Sequence, residues 1–389
     1  MDEAPRNRED VARTLGGLRR DINDTDGRIL ELLNKRASLS LEVGRAKAGA
    51  ADMVFKPLRE QEVLDGLVAR NPGPMPGEHV RAIWREILSS SRALQRPQHV
   101  AYLGPEGTFS YFAGREYLGH AAVLHPCADI AQVFEELCLR HCDLGVVPLE
   151  NSLQGTVGAS FDLFLKYPVH IQAELYSRIS HCLLSDATSL AAVRTVHSHP
   201  QPLAQCGVWL RTHLPNAVLV PAESTAAAAH RAAGDPEAAA IGHASLASLA
   251  GIGILARRIE DEAYNWTRFV IIATSPSDAG RPGTPLPTPG NAGGACKTSI
   301  LFTLPDKPGA LSTVLQLLAE NGINMRKLES RPLRDQCWKY AFFADVESNL
   351  EDEVHLPLLK RLEEVCSSFR ILGSYPSGPQ LDRPDVQEA

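Results

Sequence analysis

Apolar residues near the start of the chain recur at close to a seven-residue spacing, which predicts one long amphipathic helix from Leu15 to Val43. The repeating positions are Leu15, Leu18, Ile22, Ile29, Leu32, Leu39 and Val43. Two shorter helices are predicted after it, one from Pro57 to about Arg70 and one from about Glu78 to Gln95. A helix of about 30 residues is about 45 Å long, more than two short helices can cover, so we expect a second chain to complete the bundle.

Basic residues on the long helix suggest an anion-binding site. Arg36 and Lys47 are 11 positions apart, which at about 100° per residue returns to nearly the same face, so both can contact one anion. Arg19 lies about 26 Å from Arg36 along the helix and can reach such a pocket only from a partner subunit. The other polar candidates are Arg59 and Glu60 on the second helix and Ser91 and Gln95 on the third. Spacing alone favours the alternative that these residues form a solvated charged face.

From His99 onward, short runs of strand-forming residues alternate with helical ones, which predicts parallel sheets covered by helices. The strand-like runs are VAYLG, AAVLHP, DLGVVPLEN, TVHSHP, AVLVPAE, AAAIG and FVIIAT. Ligands of such sheets bind where strands lead into helix N-termini, which attract anions. Four polar corners of this kind are present: Gly104–Thr108, Glu150–Ser152, Ser198–Pro200 and Glu223–Thr225. Each corner also has a purely structural interpretation as a turn or a helix cap.

One stretch without charged residues, Ala238 to Ala256, is nearly long enough to span a bilayer but is rich in Ala, Gly and Ser. We interpret it instead as a buried strand, AAAIG, followed by a helix. The whole chain has 44% hydrophobic and 22% charged residues, as an ordinary globular protein without a membrane span does. Its net charge of −7 provides no basic field for a polyanion, so we expect no nucleic-acid partner.

Eight cysteines spread over the chain, and a charged start without an apolar signal core, predict reduced thiols and a cytoplasmic location. Cys138, His141 and Cys142 lie close together but lack a second ligand pair, so we predict no metal site. The GPEG corner is not a dinucleotide fingerprint, and no Walker lysine follows it. We therefore expect no cofactor.

The segment from Ser275 to Cys296 is rich in Pro and Gly, which predicts a flexible linker. After it, the predicted elements follow the order β-α-β-β-α-β of a ferredoxin-like α+β fold. This last segment has no nucleophile–base pair and no metal cluster, so we expect it to bind a ligand rather than to catalyse a reaction. Because the linker separates the segment, a chain cut at about Gly290 is expected to remain active.

The segments LRRDINDTDGRILELLNKRASLSLEVGRAKA and PLREQEVL resemble the all-helical chorismate mutase family. The residues that this resemblance implies as substrate contacts are Arg19 of the partner chain, Arg36, Lys47, Arg59, Glu60, Ser91 and Gln95. The implied reaction, chorismate to prephenate, needs no proton transfer but a cationic pocket that holds a dianion in a compact conformer. Lys56 departs from the family, which often has an acidic residue there, and this puts the contact to the substrate hydroxyl in doubt.

The motifs AYLGPEGTFS, GVVPLENS, HSHPQPLAQC, ESTAAA and NWTRFVII resemble those of prephenate dehydratase, in the same order. That family has two lobes like a type 2 periplasmic binding protein, with the substrate in the cleft between them. The resemblance implies that Thr267 is the catalytic residue. The residues that it implies as the lining of the cleft are Asn151, Ser152, Ser198, Gln205, Ser224, Thr225, Arg268 and Phe269.

The motifs DKPGALSTVL and LESRP resemble the ACT domain, a small-molecule-sensing module, in its phenylalanine-binding version. The residues that the resemblance implies as the phenylalanine site are Gly309, Ala310, Leu311, Glu329, Ser330, Arg331 and Pro332. The glycine suits a backbone that approaches a ligand closely at a helix start. The alternative is that PGAL is simply the beginning of a helix.

Together, the three segments resemble the bifunctional chorismate mutase–prephenate dehydratase family. The resemblance implies a helical mutase domain at 1–97, a dehydratase domain at 98–275, a linker at 276–296 and an ACT domain at 297–389. It also implies conversion of chorismate through prephenate to phenylpyruvate, inhibition by phenylalanine, and a homodimer or larger homo-oligomer. Two alternatives stay open: a sensor that binds aromatic precursors without turnover, and a dehydratase whose mutase-like domain only dimerises.

Overall fold

The computed structural model describes residues 8–46, 55–274, 296–333 and 339–381, with side chains from residue 14 onward. Its first part contains the three predicted helices, which are α1 (Arg8–Ala46), α2 (Pro57–Ala69) and α3 (Gly77–Gln95). The helix α1 begins earlier than the apolar repeat indicates and is about 58 Å long at 1.5 Å per residue. It packs against α3 near its C-terminal end, where a Cβ on Gly44 would come within 3.2 Å of the Gln95 Cα.

The apolar face of α1 is open to solvent. All seven residues of the heptad-like repeat are exposed, including Ile22 at 58% and Leu32 at 66%. No side chain between residues 14 and 46 is buried. An exposed apolar stripe along so long a helix is typical of an interaction surface.

The central segment folds into two lobes. The elements of the first lobe are β1 (His99–Leu103), α4 (Phe109–Leu118), β2 (Val123–Cys127), α5 (Ile130–Cys138), β3 (Leu144–Asn151), β4 (Gly155–Thr156), α6 (Gly158–Lys166) and β5 (Val169–Arg178). The elements of the second lobe are β6 (Cys182–Leu184), β7 (Thr195–Ser198), α7 (Pro200–Gln205), α8 (Gly207–His213), β8 (Val218–Pro221), α9 (Thr225–Ala232), β9 (Ala238–Gly242), α10 (Leu246–Ala250) and β10 (Ile254–Ala256). The strand β11 (Trp266–Thr274) then returns to the first lobe.

Both lobes have the same sheet organisation. The first sheet runs β2-β1-β3-β11-β5, and β11 is antiparallel to its neighbours while β1, β2 and β3 are parallel. The second sheet runs β8-β7-β9-β6-β10, with β6 as its antiparallel strand. In each sheet the antiparallel strand directly follows a connection between the lobes: β6 follows β5, and β11 follows β10. The two-lobed α/β architecture that the sequence predicts is therefore confirmed.

Two connections between the lobes run side by side and form a hinge. The first leads from β5 to β6 and the second from β10 to β11. Ile179 N donates to Asn265 O at 2.7 Å, and Ile259 N donates to His181 O at 3.0 Å. The cleft between the lobes is therefore closed at the bottom by backbone that both lobes share.

The uncharged stretch from Ala238 to Ala256 belongs to the second lobe. It forms the fully buried β9, then α10 and β10, as the strand-and-helix interpretation predicts. None of the described helices is both long and apolar enough to cross a membrane. The cysteines within the described residues are free thiols, and these residues contain no group of three metal-binding side chains.

The C-terminal segment has the predicted β-α-β-β-α-β order. Its elements are β12 (Cys296–Thr303), α11 (Ala310–Glu320), β13 (Met325–Pro332), β14 (Tyr340–Val346), α12 (Leu356–Val365) and β15 (Ser368–Pro376). The antiparallel sheet runs β13-β14-β12-β15, so β13 is an edge strand. A last short strand, β16 (Gln380–Leu381), leaves this domain and pairs with β5 in the first lobe. Residues 275–295 of the predicted linker lie outside the described residues, and Cys296 already begins β12.

The C-terminal domain shares a hydrophobic core with the first lobe. Phe343, Leu372 and Tyr375 belong to the same buried cluster as Phe161 and Ile171 of that lobe. The Phe161 and Phe343 ring centroids are 4.5 Å apart. This packing contradicts the idea of a detachable module that the linker suggested.

A close backbone contact also joins the two domains. Gly373 on β15 has φ +151°, and a Cβ there would come within 2.1 Å of the Ile171 carbonyl oxygen. Only glycine allows this approach, because any side chain would displace β15 from β5.

A chain cut at residue 290 is therefore expected to lose stability. It loses three large buried side chains, each worth about 1.5–3 kcal/mol, and uncovers the first lobe. We expect an insoluble product or a midpoint of thermal unfolding at least about 10 °C lower. The control is a chain that stops at Leu381, which keeps all of these contacts and should unfold like the full chain. A soluble 1–290 chain with the full-length midpoint would contradict the shared core.

Candidate active sites

Arg36 on α1 points between the helices of the N-terminal domain. Its Nη1 donates to the Ser91 hydroxyl and, at 3.5 Å, to the Ile87 carbonyl. Burial lowers the pKa of Arg36, and the negative charge of Glu60 opposes that shift. A cation bonded to neutral groups keeps most of its charge for a bound anion.

Arg92 is a buried arginine of this pocket that the sequence analysis did not single out. Its Nη1 pairs with Glu60, its Nε donates to Gln98 Oε1 at 3.0 Å, and its Nη2 donates to the Leu118 carbonyl. The guanidinium carbon also lies 5.4 Å from the centre of the Phe55 ring. Arg92 therefore orients Glu60 and joins the helical domain to the first lobe. In the sequence, the only signal that could have pointed to Arg92 was its position as a basic residue next to Ser91.

The other predicted mutase residues divide into two groups. Gln95 lies with the pocket, where its Nε2 donates to Ser91 O at 3.3 Å. Arg59 is 72% exposed and pairs with Glu62 at 2.9 Å, and Arg19 is exposed on a distant part of α1. Lys47 lies outside the described residues. The structure thus brings together Arg36, Glu60, Ser91 and Gln95, but one chain does not bring Arg19 or the Arg59 guanidinium to them.

Lys56, the departure from the mutase family, immediately precedes α2. Its backbone carbonyl accepts from Glu60 N at 3.0 Å, so it is part of the first turn of the helix. Lys56 directly precedes Pro57, the first residue of α2, and is therefore one helical turn from Glu60.

The second candidate site is a cleft of about 460 Å³ between the two lobes. This volume suits a small organic substrate. Six of the predicted residues line it: Asn151, Gln205, Ser224, Thr225, Thr267 and Phe269. At its mouth, Gln201 of the second lobe donates to Gln154 of the first at 2.9 Å. The two lobes therefore contact each other across the cleft.

Thr267 and Asn151 face each other across neighbouring strands at the hinge end of the cleft. Asn151 Oδ1 accepts from Leu153 N and Gln154 N, both at 3.0 Å, which fixes the orientation of the amide. Its Nδ2 then donates to Thr267 Oγ1 at 3.0 Å and to Asn265 Oδ1 at 2.7 Å. Because the Thr267 oxygen accepts a hydrogen bond, its own hydroxyl hydrogen can donate into the cleft.

A β-bulge in β3 makes this arrangement possible. Thr267 pairs with Asn151, but Phe269 pairs with Pro148, so Leu149 is an extra residue without a partner. In a regular strand, Pro148 and Asn151 would face opposite sides of the sheet. The bulge turns both toward the cleft, as bulges beside active sites often do.

Positive charge in the cleft comes from helix ends rather than from basic side chains, and the lining carboxylate of Glu223 is paired with Arg231 at 2.7 Å. No lysine or arginine is among the described residues that line it. The helices α4 and α9 begin there, and their N-caps Thr108 and Ser224 accept from Tyr111 N and Ala227 N. Helix N-termini carry partial positive charge and present unpaired N–H groups, so the cleft suits carboxylates.

His181, on the hinge, is a residue of the cleft that the sequence analysis missed. Its Nε2 donates to Gln205 Oε1 at 2.8 Å, and its ring packs edge-on against Phe109. Burial lowers the pKa of His181, so the ring is neutral near pH 7. Its Nδ1 is buried without a hydrogen-bond partner among the described residues. In the sequence it is only an isolated histidine between two strand-like runs.

Three residues predicted to line the cleft have other positions. Ser152 binds the Tyr264 carbonyl at 3.0 Å and the Trp266 N–H at 2.9 Å, so it joins the hinge connection to β3. Ser198 is fully buried and donates to the Ile241 carbonyl at 2.9 Å. Arg268 faces the C-terminal domain, because it is the strand neighbour of Thr267 and alternate residues face opposite sides. The structure therefore places these three side chains away from the cleft lining.

The two candidate effector motifs lie on the C-terminal domain. Gly309 has φ +80° and is the N-cap residue of α11, directly before Ala310 and Leu311. Glu329, Ser330, Arg331 and Pro332 end the edge strand β13, and Arg331 Nη2 lies 3.4 Å from Asp162 of the first lobe. An edge strand leaves backbone groups available for pairing with another chain.

Models of three known families match three successive parts of the chain. A family model of chorismate mutase type II matches residues 18–96, one of prephenate dehydratase matches 100–277, and one of the ACT domain matches 298–364. A bifunctional chorismate mutase/prephenate dehydratase of Aquifex aeolicus is 39% identical over 363 residues, which are 92% of this chain and 97% of that one. A protein of the same description from Stutzerimonas stutzeri is 38% identical, over 93% and 97% of the two chains.

Solved structures resemble the central and C-terminal parts. Prephenate dehydratase of Arthrobacter aurescens, solved with L-Phe, has a TM-score of 0.61 at 32% identity over 72% of this chain and 90% of its own. GqqA, described as a novel type of quorum quenching acylase, has a TM-score of 0.62 at 31% identity over 72% and 98%. Because proteins of different described activities share this fold, the fold alone does not define the reaction.

Fold, sites and motifs together define a two-site enzyme of phenylalanine biosynthesis with an attached ACT domain. The chain belongs to the bifunctional chorismate mutase/prephenate dehydratase family and has both activities. It rearranges chorismate to prephenate and converts prephenate to phenylpyruvate. The interpretations as a sensor without turnover and as a dehydratase with a merely dimerising helical domain are the less supported ones.

Proposed function

We propose that chorismate binds beside Arg36, between α1, α2 and α3. The Arg36 guanidinium binds one substrate carboxylate, since its described hydrogen bonds involve only Nη1. Gln95 and Lys47 donate to the ether oxygen as its bond breaks, and Arg59 binds the second carboxylate after its side chain turns from Glu62. The reaction needs no acid or base, so the roles of these residues are orientation and charge stabilisation.

We also propose that two chains complete each mutase pocket. The support is the exposed apolar stripe of α1, together with the distance of about 26 Å along the helix between Arg19 and Arg36. Pairing of two such helices buries the stripe and brings Arg19 of one chain to Arg36 of the other. The assembly is then a homodimer or a larger homo-oligomer.

Arg36→Ala should abolish mutase activity and leave prephenate dehydration nearly intact. Loss of a desolvated carboxylate contact costs about 3–5 kcal/mol, which is about two to four decades in rate. Arg19→Ala should behave in the same way. Mixed after subunit exchange, the two variants should regain about one quarter of wild-type mutase activity, because half of the dimers are hybrids with one intact pocket. Exchange without recovery would contradict a shared pocket.

For the dehydratase, we propose that the Thr267 hydroxyl assists departure of the ring hydroxyl of prephenate. The observation that carries this proposal is the fixed Asn151 amide, which uses the Thr267 oxygen as acceptor and leaves its hydrogen for the substrate. The two carboxylates of prephenate lie at the N-termini of α4 and α9. Loss of carbon dioxide and of the hydroxyl then produces an aromatic ring, which supplies the driving force.

Thr267→Val should lower the dehydratase kcat more than about a hundredfold with little change in prephenate binding, because it removes a bond made mainly in the transition state. Thr267→Ser keeps the hydroxyl and should retain part of the rate. Mutase activity of the same preparations is the control for correct folding. A valine variant with near-normal turnover would mean that another group serves the leaving hydroxyl.

We propose that phenylalanine inhibits the dehydratase by binding the ACT domain at Gly309–Leu311 and Glu329–Pro332, where two ACT domains meet. The A. aurescens relative, solved with L-Phe, supports the ligand, and the open edge of β13 supports the pairing. We also propose that the mutase domain ends near residue 97, that the dehydratase domain ends near 275 and that the ACT domain begins near 297. A ligand can inhibit in this way only by binding two forms of the cleft with different affinity.

Saturating phenylalanine should inhibit the dehydratase by weakening prephenate binding about 5- to 150-fold, and prephenate should weaken phenylalanine binding by the same factor. Gly309→Ala should reduce this inhibition, because a Cβ at φ +80° strains the proposed binding loop. Gly322→Ala is a matched control with similar strain, at φ +69°, at the other end of α11. Equal effects of the two substitutions on inhibition would argue against a site at Gly309.

A further inference from the structure

The two strands that carry Asn151 and Thr267 also contact the ACT domain, through the adjacent residues. Thr267 pairs with Asn151 in the sheet, and Arg268 pairs with Glu150. The first pair faces the cleft. The second pair faces away from it, so each strand has one side chain in the dehydratase site and the next in the domain interface.

Arg268 is 4% exposed and lies in a cluster of opposite charges. Its Nη1 pairs with Asp345 of the ACT domain, its Nη2 donates to Tyr375 at 3.0 Å, and its Nε lies 2.8 Å from Glu174 without pointing at it. Lys297 of the ACT domain binds the other oxygen of Glu174 at 2.8 Å. Burial alone would lower the pKa of Arg268, but Tyr375, Asp345 and Glu174 raise it, so the residue stays charged.

Glu150 has a partner of its own in the ACT domain. Lys327 Nζ lies 2.7 Å from Glu150 Oε2, and the same ammonium group lies 5.5 Å from the centre of the Phe161 ring. The Lys327 side chain is 12% exposed and the Glu150 side chain is 38% exposed, so the carboxylate end of the pair reaches solvent. Lys327 lies on β13, two residues before the motif that begins at Glu329.

The bulge at Leu149 makes the position of Asn151 sensitive to this contact. A bulge interrupts the ladder of backbone hydrogen bonds at that point, so fewer backbone contacts hold β3 against β11 there. The 3.0 Å bond between Asn151 and Thr267 depends on how β3 lies against β11 at that point. Two ion pairs to one rigid domain, from Glu150 and from Arg268, hold both strands at the bulge.

We propose that Glu150 and Arg268 are positioning residues of the dehydratase, and that the ACT domain, through Lys327 and Asp345, is a structural part of that catalytic site. The ion pairs set the position of β3 against β11, and this position sets the Asn151–Thr267 contact. The proposal deepens the function proposed above, because it rests on the role of Thr267. It also gives the ACT domain a direct route to the dehydratase site.

The test uses Lys327→Met, Glu150→Gln and the double variant in the full chain. Methionine keeps the packing on Phe161, and glutamine keeps the shape of Glu150, so folding should survive. Each single variant should lower dehydratase kcat at least about fivefold, since a small displacement of a catalytic group is costly. The KM for prephenate should stay within about twofold, and the double variant should be no worse than the singles, because both break one pair.

Three controls separate positioning from general stability. Mutase activity of the same preparations and the midpoint of thermal unfolding should stay at wild-type values. Lys327→Arg should restore most of the kcat. Arg326→Met is the matched control, because Arg326 is the adjacent residue on β13 and pairs with Glu347 within the ACT domain. It should leave dehydratase kcat unchanged.

Unchanged kcat in the single variants, additive losses in the double variant, or a loss equally caused by Arg326→Met would each overturn the proposal. A fall in kcat that follows a fall in the unfolding midpoint would also overturn it, since the pair would then only stabilise the fold. The Thr267 variants distinguish failure of the proposed role of Thr267 from failure of the proposed positioning role. If Thr267→Val keeps its turnover, the proposed role of Thr267 fails; if it is inactive while the Lys327 and Glu150 variants are normal, only the positioning role fails.

Discussion

The pairing of β11 with both β3 and β5 is the constraint on which the rest of the molecule depends. This strand returns from the second lobe and completes the first sheet, and its second residue is Thr267. The next residue, Arg268, enters the interface with the ACT domain. One strand therefore joins the two lobes, the cleft and the C-terminal domain, so its position cannot change without affecting all of them.

Much of the architecture follows from local signals in the sequence. The heptad-like repeat of α1 and the alternation of strand-like and helical runs reflect periods of 3.6 and 2 that any chain must show to bury one face. The polar corners at Asn151 and Ser224 were recognisable because ligand-binding loops follow strands at fixed places. For these features, neighbours along the chain carry the necessary information.

The misplaced and missed residues depend on contacts between distant segments. Nothing local shows that Arg268 faces Asp345 and Tyr375, because those partners come from strands that follow a long connection. The inward turn of Asn151 requires the bulge at Leu149, which a regular alternation does not predict. Arg92 and His181 become informative only when their partners, Glu60 and Gln205, are brought beside them.

The shared core also constrains the order in which the chain can fold during synthesis. The first lobe needs Tyr375, about 100 residues beyond the end of β11, and at about 5–20 residues per second the ribosome takes roughly 5–20 s to supply it. Until then, Arg268 and Glu174 lack their ACT partners, and the apolar surface around Phe161 is uncovered. The dehydratase domain thus completes its core only after the ACT domain leaves the ribosome, and until then apolar surface of the first lobe is exposed.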